Sequence, residues 1–375
     1  MLEIGSRLEL FVDDALIERM AGGARLDLHR PERREVVLRM DAPWEGNASA
    51  FQSVFQEGGR YRMYYRGLHY AKNAGPSAQS MAEHPWLLCY AESDDGIHWR
   101  KPELGLFEFN GSKANNIILT PESVKSIGGD PAHTSVFHDT NPECPPDARI
   151  KCTIVCWREK SKGLYVLKSA DGIRFTPMSD KPSVTEGAFD SQNLIFWDPV
   201  RAEYREYHRG FKEGSRDIMT AASKDILHFP KPQWLQYPGV PTQQLYTNQI
   251  QPYYRAPHLF MGFPMRYTER AWSDPVAALP QLAERVARAR HSKRYGTAVT
   301  DALFMASRDG LSFKRWSEAF IRPGPATKDT WVYGDNFVFW GMVETRSHLG
   351  DAPNDLSFYA TEGYWTGTET LVPVQ

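Results

Sequence analysis

Cysteine is scarce in this chain, no apolar run approaches membrane-spanning length, and charge of neither sign dominates. A formal net charge of −2 over 375 residues leaves no basic field of the kind nucleic-acid binding requires, so no nucleic-acid partner is expected. Nowhere do about 18 consecutive apolar residues occur, so no membrane span is expected either. The start, Met1-Leu2-Glu3-Ile4-Gly5, has no basic region followed by an apolar one. As it stands the chain reads as cytoplasmic, or as periplasmic or secreted if a leader was removed. The four cysteines, Cys89, Cys144, Cys152 and Cys156, match no zinc spacing, and no metal ligand set is marked. Cys152 and Cys156 share one face of an apparent strand, too far apart to pair, and buried free thiols are expected.

What is abundant is turn-forming and aromatic. The chain has 28 Gly and 26 Pro spread along its length, with 11 Trp, 17 Tyr and 19 Phe. That mixture suits many short strands joined by many turns. An internal repeat confirms the pattern: Ser-x-Asp-Gly-(Ile/Leu)-x-(Trp/Phe) occurs at Ser93–Trp99, Ser169–Phe175 and Ser307–Phe313. A weaker copy, Ser223–Phe229, has Ile226 where the others have Gly. Asp-Gly supplies a tight turn, Ser caps it, and the aromatic plugs the seam between packed sheets.

Each copy follows a strand-like run, and a further strand pair precedes each, giving four units of four strands. A fifth begins at Asn336–Val343 and continues at Leu356–Ala360. The segment Arg7–Val12 is the candidate to complete it and close the ring, which removes exposed sheet edges. The expected fold is therefore all-β: a single five-bladed β-propeller of four-stranded antiparallel blades over residues 1–375. Residues 275–291 have helical periodicity, with Val276, Leu279, Leu282 and Val286 on one side. They form a short helical insertion in the fourth blade.

Leu10-Phe11-Val12-Asp13-Asp14, Tyr61–Tyr65 and Tyr90–Trp99, in that order, carry a family resemblance, to which Gly187–Asn193 and Tyr253–His258 add. The chain resembles the five-bladed propellers of glycoside-hydrolase type, related to arabinanases, xylosidases, invertases, levansucrases and mannoside phosphorylases. It is most similar to bacterial family 32- or 43-like hydrolases. The resemblance covers the whole chain and implies a glycosidase acting on an oligosaccharide or polysaccharide. It does not extend to the invertase motifs: Trp44-Glu45-Gly46-Asn47 stands alone, there is no Arg-Asp-Pro, and Glu143-Cys144 lies in a Pro-rich loop.

In propellers, ligands bind where the inner strands begin around the central channel. Carboxylates there would supply an acid and a base or nucleophile. Asp190, Glu45 and Asp335 are the catalytic candidates on that argument. Trp44, Asn47, His133, Gln192 and Gln251 are candidate sugar contacts. Arg66, Arg209 and Arg266 each end the second strand of a unit. Gathered at one rim they would suit an anionic sugar, the other reading being salt bridges between blades. A non-catalytic carbohydrate-binding propeller and a uronate lyase using Tyr253 and His133 are the alternatives. No cofactor is required, and a structural calcium ion in the channel is compatible with the ring.

Overall fold

The computed structural model describes residues 3–71, 82–328, 330 and 336–365, and the backbone of 373–374. Four antiparallel four-stranded blades follow in chain order. The first is Ser53–Glu57, Arg60–Gly67, Leu87–Ser93 and Trp99–Arg100, with Ile117–Leu119 added beside its third strand. The second is Gly129–His138, Ile150–Cys156, Gly163–Ser169 and Thr176–Pro177. The third is Leu194–Asp198, Glu203–Lys212, Ser215–Ser223 and Gln233–Trp234. The fourth is Gln251–Tyr253, Ala256–Gly262, Met305–Ser307 and Lys314–Arg315.

A two-stranded sheet, Val343–Thr345 with Asp355–Ser357, follows. It is extended by backbone bonds from Phe339 to Tyr359 and between Phe337 and Thr361. Its leading edge meets the first blade, where Trp340 exchanges backbone bonds with Gln52 and Val54. Gly341 makes that approach possible: a Cβ there would sit 1.8 Å from the Val54 carbonyl oxygen.

Arg7–Val12 forms no strand. Glu9, Asp13 and Asp14 tie it instead to Arg308 and Lys314 of the fourth blade, while Leu10 and Val12 pack on that blade's apolar cluster. The terminal pairing that does form joins Leu38–Arg39 to Pro373–Val374. Between the second and third strands of the fourth blade lie helices Asp274–Ala277 and Leu282–Ala289. The longer one turns its arginine side inward: Arg285 donates to five backbone carbonyls, and Leu282 and Val286 stay exposed.

The repeats are seams between blades. In each full copy Ser Oγ accepts from the Gly N–H at 2.9 Å, and one Asp oxygen accepts from the next two amides at 2.8–2.9 Å. The glycines take φ of 75–77°, a conformation costly for a side chain. Gly172 lies against Tyr64 and Gly310 against Tyr207, each on the second strand of the preceding blade. Gly96 lies likewise against Tyr359 beyond the ring junction. The weaker copy keeps the Asp225 bond to Leu227, and Ile226, in place of glycine, is buried in an apolar cluster with Phe137 and Val166 of the second blade.

The central channel is plugged by polar side chains. Gln192, fully buried, donates to the Phe51 and Gln52 carbonyls and to Ser53 Oγ at 3.1–3.2 Å. Gln249 donates to Gln192 Oε1 and to the Val338 carbonyl, both at 2.8 Å. Trp340 Nε1 donates to the Ile250 carbonyl at 2.9 Å. All four cysteines are buried and free.

Two predictions follow from these contacts. Gln192→Leu removes the side-chain donor to the Phe51 carbonyl and the acceptor of Gln249, and about 3 kcal/mol of stability should be lost in urea denaturation. Burial opposes the charge of Asp171, but its bonds from Arg174, Ile173 and Ser169 outweigh that and hold the carboxyl at about 2 against an ordinary 3.8. Stability from this depressed group is complete above its unfolded value and vanishes as pH falls through the folded one. Stability measured between about pH 4 and pH 2 should therefore fall less steeply in Asp171→Ala than in the parent.

Candidate functional site at the channel mouth

The backbone kinks at the head of the inner strands. Phe51, Phe189, Gln249 and Asn336 take left-handed φ of 57°, 58°, 48° and 64° in the first, third, fourth and last sheets. In the second blade the pairing register shifts between Asp130 and Ser135. Such conformations are unfavourable for side-chain-bearing residues and persist where the surroundings enforce them. Here they aim side chains into and around the channel.

Every sheet contributes to the mouth. Phe51 packs on Phe337 at 6.2 Å and on His133 at 5.7 Å between ring centroids. Phe337 packs in turn on Tyr246 and Tyr364 at 5.8 and 5.4 Å. Trp86 and Trp157 stand edge-on to His133, each at 5.7 Å. The Arg66 guanidinium lies 4.7 Å over Phe51, and that of Arg209 lies 4.7 Å over Tyr246. The result is an aromatic floor with cationic and titratable groups set into it.

Asp190 stands over this floor with its side chain 53% exposed, paired with the buried Arg209. Its loop rests on a fully buried pair, His208 Nδ1 with Glu206 Oε2 at 2.6 Å, and Phe189 packs on the His208 ring. Burial raises Glu206 above the usual carboxylate range despite that histidine. Among the described residues Arg66 has no carboxylate partner. Its Nε and Nη2 donate to the Ala48 carbonyl, and Nη2 donates also to Tyr364 Oη.

His133 Nδ1 lies 2.7 Å from Asp130 Oδ2, which also accepts from Trp157 Nε1 at 2.7 Å; Asp130 Oδ1 accepts from the Ala132 amide. Burial opposes ionisation of Asp130, but these donors and the histidine hold it below the usual range.

The mouth thus gathers Asp190, His133, Arg66 and Arg209. It does not gather the other candidates. Glu45 is fully buried on the flank of the first blade, between Lys101 at 2.6 Å and Tyr65 at 2.5 Å; burial pushes its carboxyl up against their pull. None of its partners is shared with Asp190. Trp44 donates to Asn116 in the same flank rather than offering a face to the channel. Asn47 exchanges both amide bonds with the Tyr70 backbone. Gln192 is consumed by the plug. Gln251 is half-buried and pairs with Met261 within the fourth blade.

Arg266 is held bidentately by Asp301 at 2.6–2.9 Å, a salt bridge within its own blade. Tyr253 is buried beside Tyr254, at the turn that lies at the opposite end of its strand from the mouth. Glu344 pairs there with Arg255. Asp335 lies outside the described residues. Among those residues no group of three or more His, Cys, Asp and Glu could hold a metal ion, and no helix is long and apolar enough to cross a membrane.

Asp130, Tyr246, Tyr364, Trp86 and Trp157 complete the mouth. Of these, only Asp130 stands out in sequence, as a polar residue at a strand head. The aromatics sit outside the repeat, and no spacing marks them.

Since Glu45 holds a flank together, Glu45→Ala should leave Lys101 facing a buried void. Stability in urea denaturation should fall by about 1–3 kcal/mol, since Tyr65 Oη and the Ala42 amide lose their acceptor while Lys101 keeps Asp41.

No protein-family model and no curated protein sequence matches the chain. Solved structures do. An N-acetylgalactosamine deacetylase from F. plautii, in complex with blood group B trisaccharide, has a TM-score of 0.50 at 12% identity over 89% of this chain and 83% of its own. A glycosyl hydrolase from Bacteroides ovatus has a TM-score of 0.48 at 14% identity over 95% of each chain. A fructofuranosidase from Schwanniomyces occidentalis has 0.49 at 13% identity over 90% of this chain and 57% of its own. The first of these likenesses shows the shared fold; at such identities none of them speaks to the chemistry.

Proposed function

We propose that this chain is a glycoside hydrolase that binds a carbohydrate in the channel mouth and uses Asp190 as the carboxylate facing the anomeric carbon. We also read the ring as five-bladed, with the two-stranded sheet as its fifth member. The observation that carries the functional reading is the placement of Asp190. It is half-exposed at a strand head, above an aromatic floor, and salt-bridged to a buried arginine that favours its ionised form. An ionised aspartate over aromatic faces suits attack on, or stabilisation of, an oxocarbenium-like transition state. The aromatic faces suit the apolar side of a sugar ring.

Arg66 supports an anionic sugar, a uronate or a sulfated unit. A buried guanidinium that among the described residues finds a carbonyl, a hydroxyl and a ring, but no carboxylate, leaves its charge for a ligand to balance. No cofactor is needed for this chemistry. One observation favours a second reading, a non-catalytic carbohydrate-binding propeller: both described aspartates of the mouth, Asp130 and Asp190, already have partners.

The purified protein should be incubated with a panel of neutral and acidic oligosaccharides and the products read by mass spectrometry. Release of a sugar that falls by roughly 10²-fold or more in a folded Asp190→Asn variant supports the hydrolase. Full activity in that variant removes Asp190 from the mechanism. Saturable binding without product moves the assignment to the binding module, and an unsaturated uronate product to a lyase.

A further inference from the structure

An ionised Asp190 cannot protonate a departing glycosidic oxygen, and Glu45 is sealed in a flank. Among the described residues the acid must come from elsewhere in the mouth. We propose that His133, positioned by Asp130, delivers and retrieves that proton. This rests on the hydrolase reading of the same site.

The geometry supports it in three ways. First, the imidazole is fixed. Asp130 takes Nδ1 at 2.7 Å and is itself pinned by Trp157 Nε1 and the Ala132 amide. A carboxylate saturated on that side favours a proton on Nδ1, which leaves Nε2 as the reactive atom.

Second, Nε2 has no hydrogen-bond partner among the described residues, and the ring around it is walled by Phe51, Trp86 and Trp157. The residue is 9% exposed, enough for one atom to face the mouth. Third, His133 and Asp190 rise from adjacent strand heads stitched together beside them. Ser135 Oγ donates to the Asn193 carbonyl at 2.5 Å, and Thr153 Oγ1 donates to it at 2.7 Å.

The charged groups facing His133 from neighbouring elements are Arg66 behind Phe51 and Lys162 behind Trp157, the latter 5.8 Å from its ring. Both oppose the imidazolium, each from behind an aromatic ring, whereas Asp130 is in direct contact.

The step balances. As an Asp190 oxygen bonds to the anomeric carbon, the glycosidic C–O bond breaks and its electron pair takes the Nε2 proton of the imidazolium. Neutral His133 then accepts a proton from water, whose oxygen bonds to the anomeric carbon as the Asp190 ester bond breaks. Both residues return to their starting charge, and one water is consumed. A group that must serve as acid and then base is best matched by one titrating near the working pH.

The test has an arm that needs no activity. In the full chain with ¹⁵N-labelled histidine, the His133 ring is identified by its loss in His133→Gln. The neutral ring should show the Nδ1–H tautomer, and Asp130→Asn should weaken that preference. An Nε2–H tautomer in the parent overturns the proposal.

The second arm compares dinitrophenyl glycosides with the corresponding oligosaccharide of the sugar found active in the panel. Dinitrophenolate leaves without protonation. His133→Gln should therefore lose roughly 10²–10⁴-fold on the oligosaccharide and far less on the aryl glycoside, and the basic limb of its pH profile should vanish. Equal losses on both substrates, or a retained basic limb in His133→Gln, overturn the proposal. If the parent turns over no sugar, the hydrolase reading falls, and the tautomer alone decides whether Asp130 positions His133.

Discussion

The rest of the molecule depends on how the channel is closed. A ring of sheets leaves a hole at its axis, lined by the inner strands' backbone groups, and buried carbonyls without donors cost about 1–3 kcal/mol each. Gln192 meets that constraint from the third blade by donating to two carbonyls of the first, and Gln249 of the fourth donates to Gln192 and to Val338 of the last sheet. Three sheets are thereby tied to the third through side-chain amides. Trp340 adds a fourth tie, from the last sheet to the fourth blade. The plug fixes the relative height of the strand heads, and the functional residues stand on those heads.

Outside the axis the blades are joined by the repeat. Its glycine lets the turn approach a tyrosine of the preceding sheet, as Gly172 does at Tyr64 and Gly310 at Tyr207. The third blade carries the imperfect copy, and other contacts hold its seam with the second. Ser135 and Thr153 reach the Asn193 carbonyl, and Tyr204 Oη donates to Asp139 at 2.8 Å. Asp139 in turn pairs with the buried Lys151. Ser135 and Asn193 lie two and three residues along the chain from His133 and Asp190, so this polar seam supports the two groups proposed to share the chemistry.

The mouth divides its charges by environment. Asp190 keeps solvent access and a guanidinium partner. Asp130 is buried, yet held ionised by three donors whose combined effect exceeds the cost of burial. Glu45 also has three donors, Lys101, Tyr65 and the Ala42 amide, but is buried more deeply, and its carboxyl is raised instead. For both buried carboxylates desolvation is the largest influence, and the outcome turns on whether the donors outweigh it.

The sequence by itself determined the all-β ring. Asp-Gly turns, alternating strands and seam aromatics are local features, and local steric and hydrogen-bonding rules are enough to read them in Ser93–Trp99, Ser169–Phe175 and Ser307–Phe313. It also placed Asp190, Asp130 and His133 at strand heads, because strand ends are marked by turn chemistry. It could not tell which head residues turn outward. Gln192 lies two positions from Asp190 in the same polar run, and only the neighbouring blades decide that one fills the axis and the other the mouth. Nor could it assign Glu45 to a flank, Arg266 to Asp301, or Arg7–Val12 to the fourth blade rather than the last sheet. Each of these depends on a partner more than 30 residues away in the chain, brought near by tertiary folding, and no periodicity along a strand records such a contact.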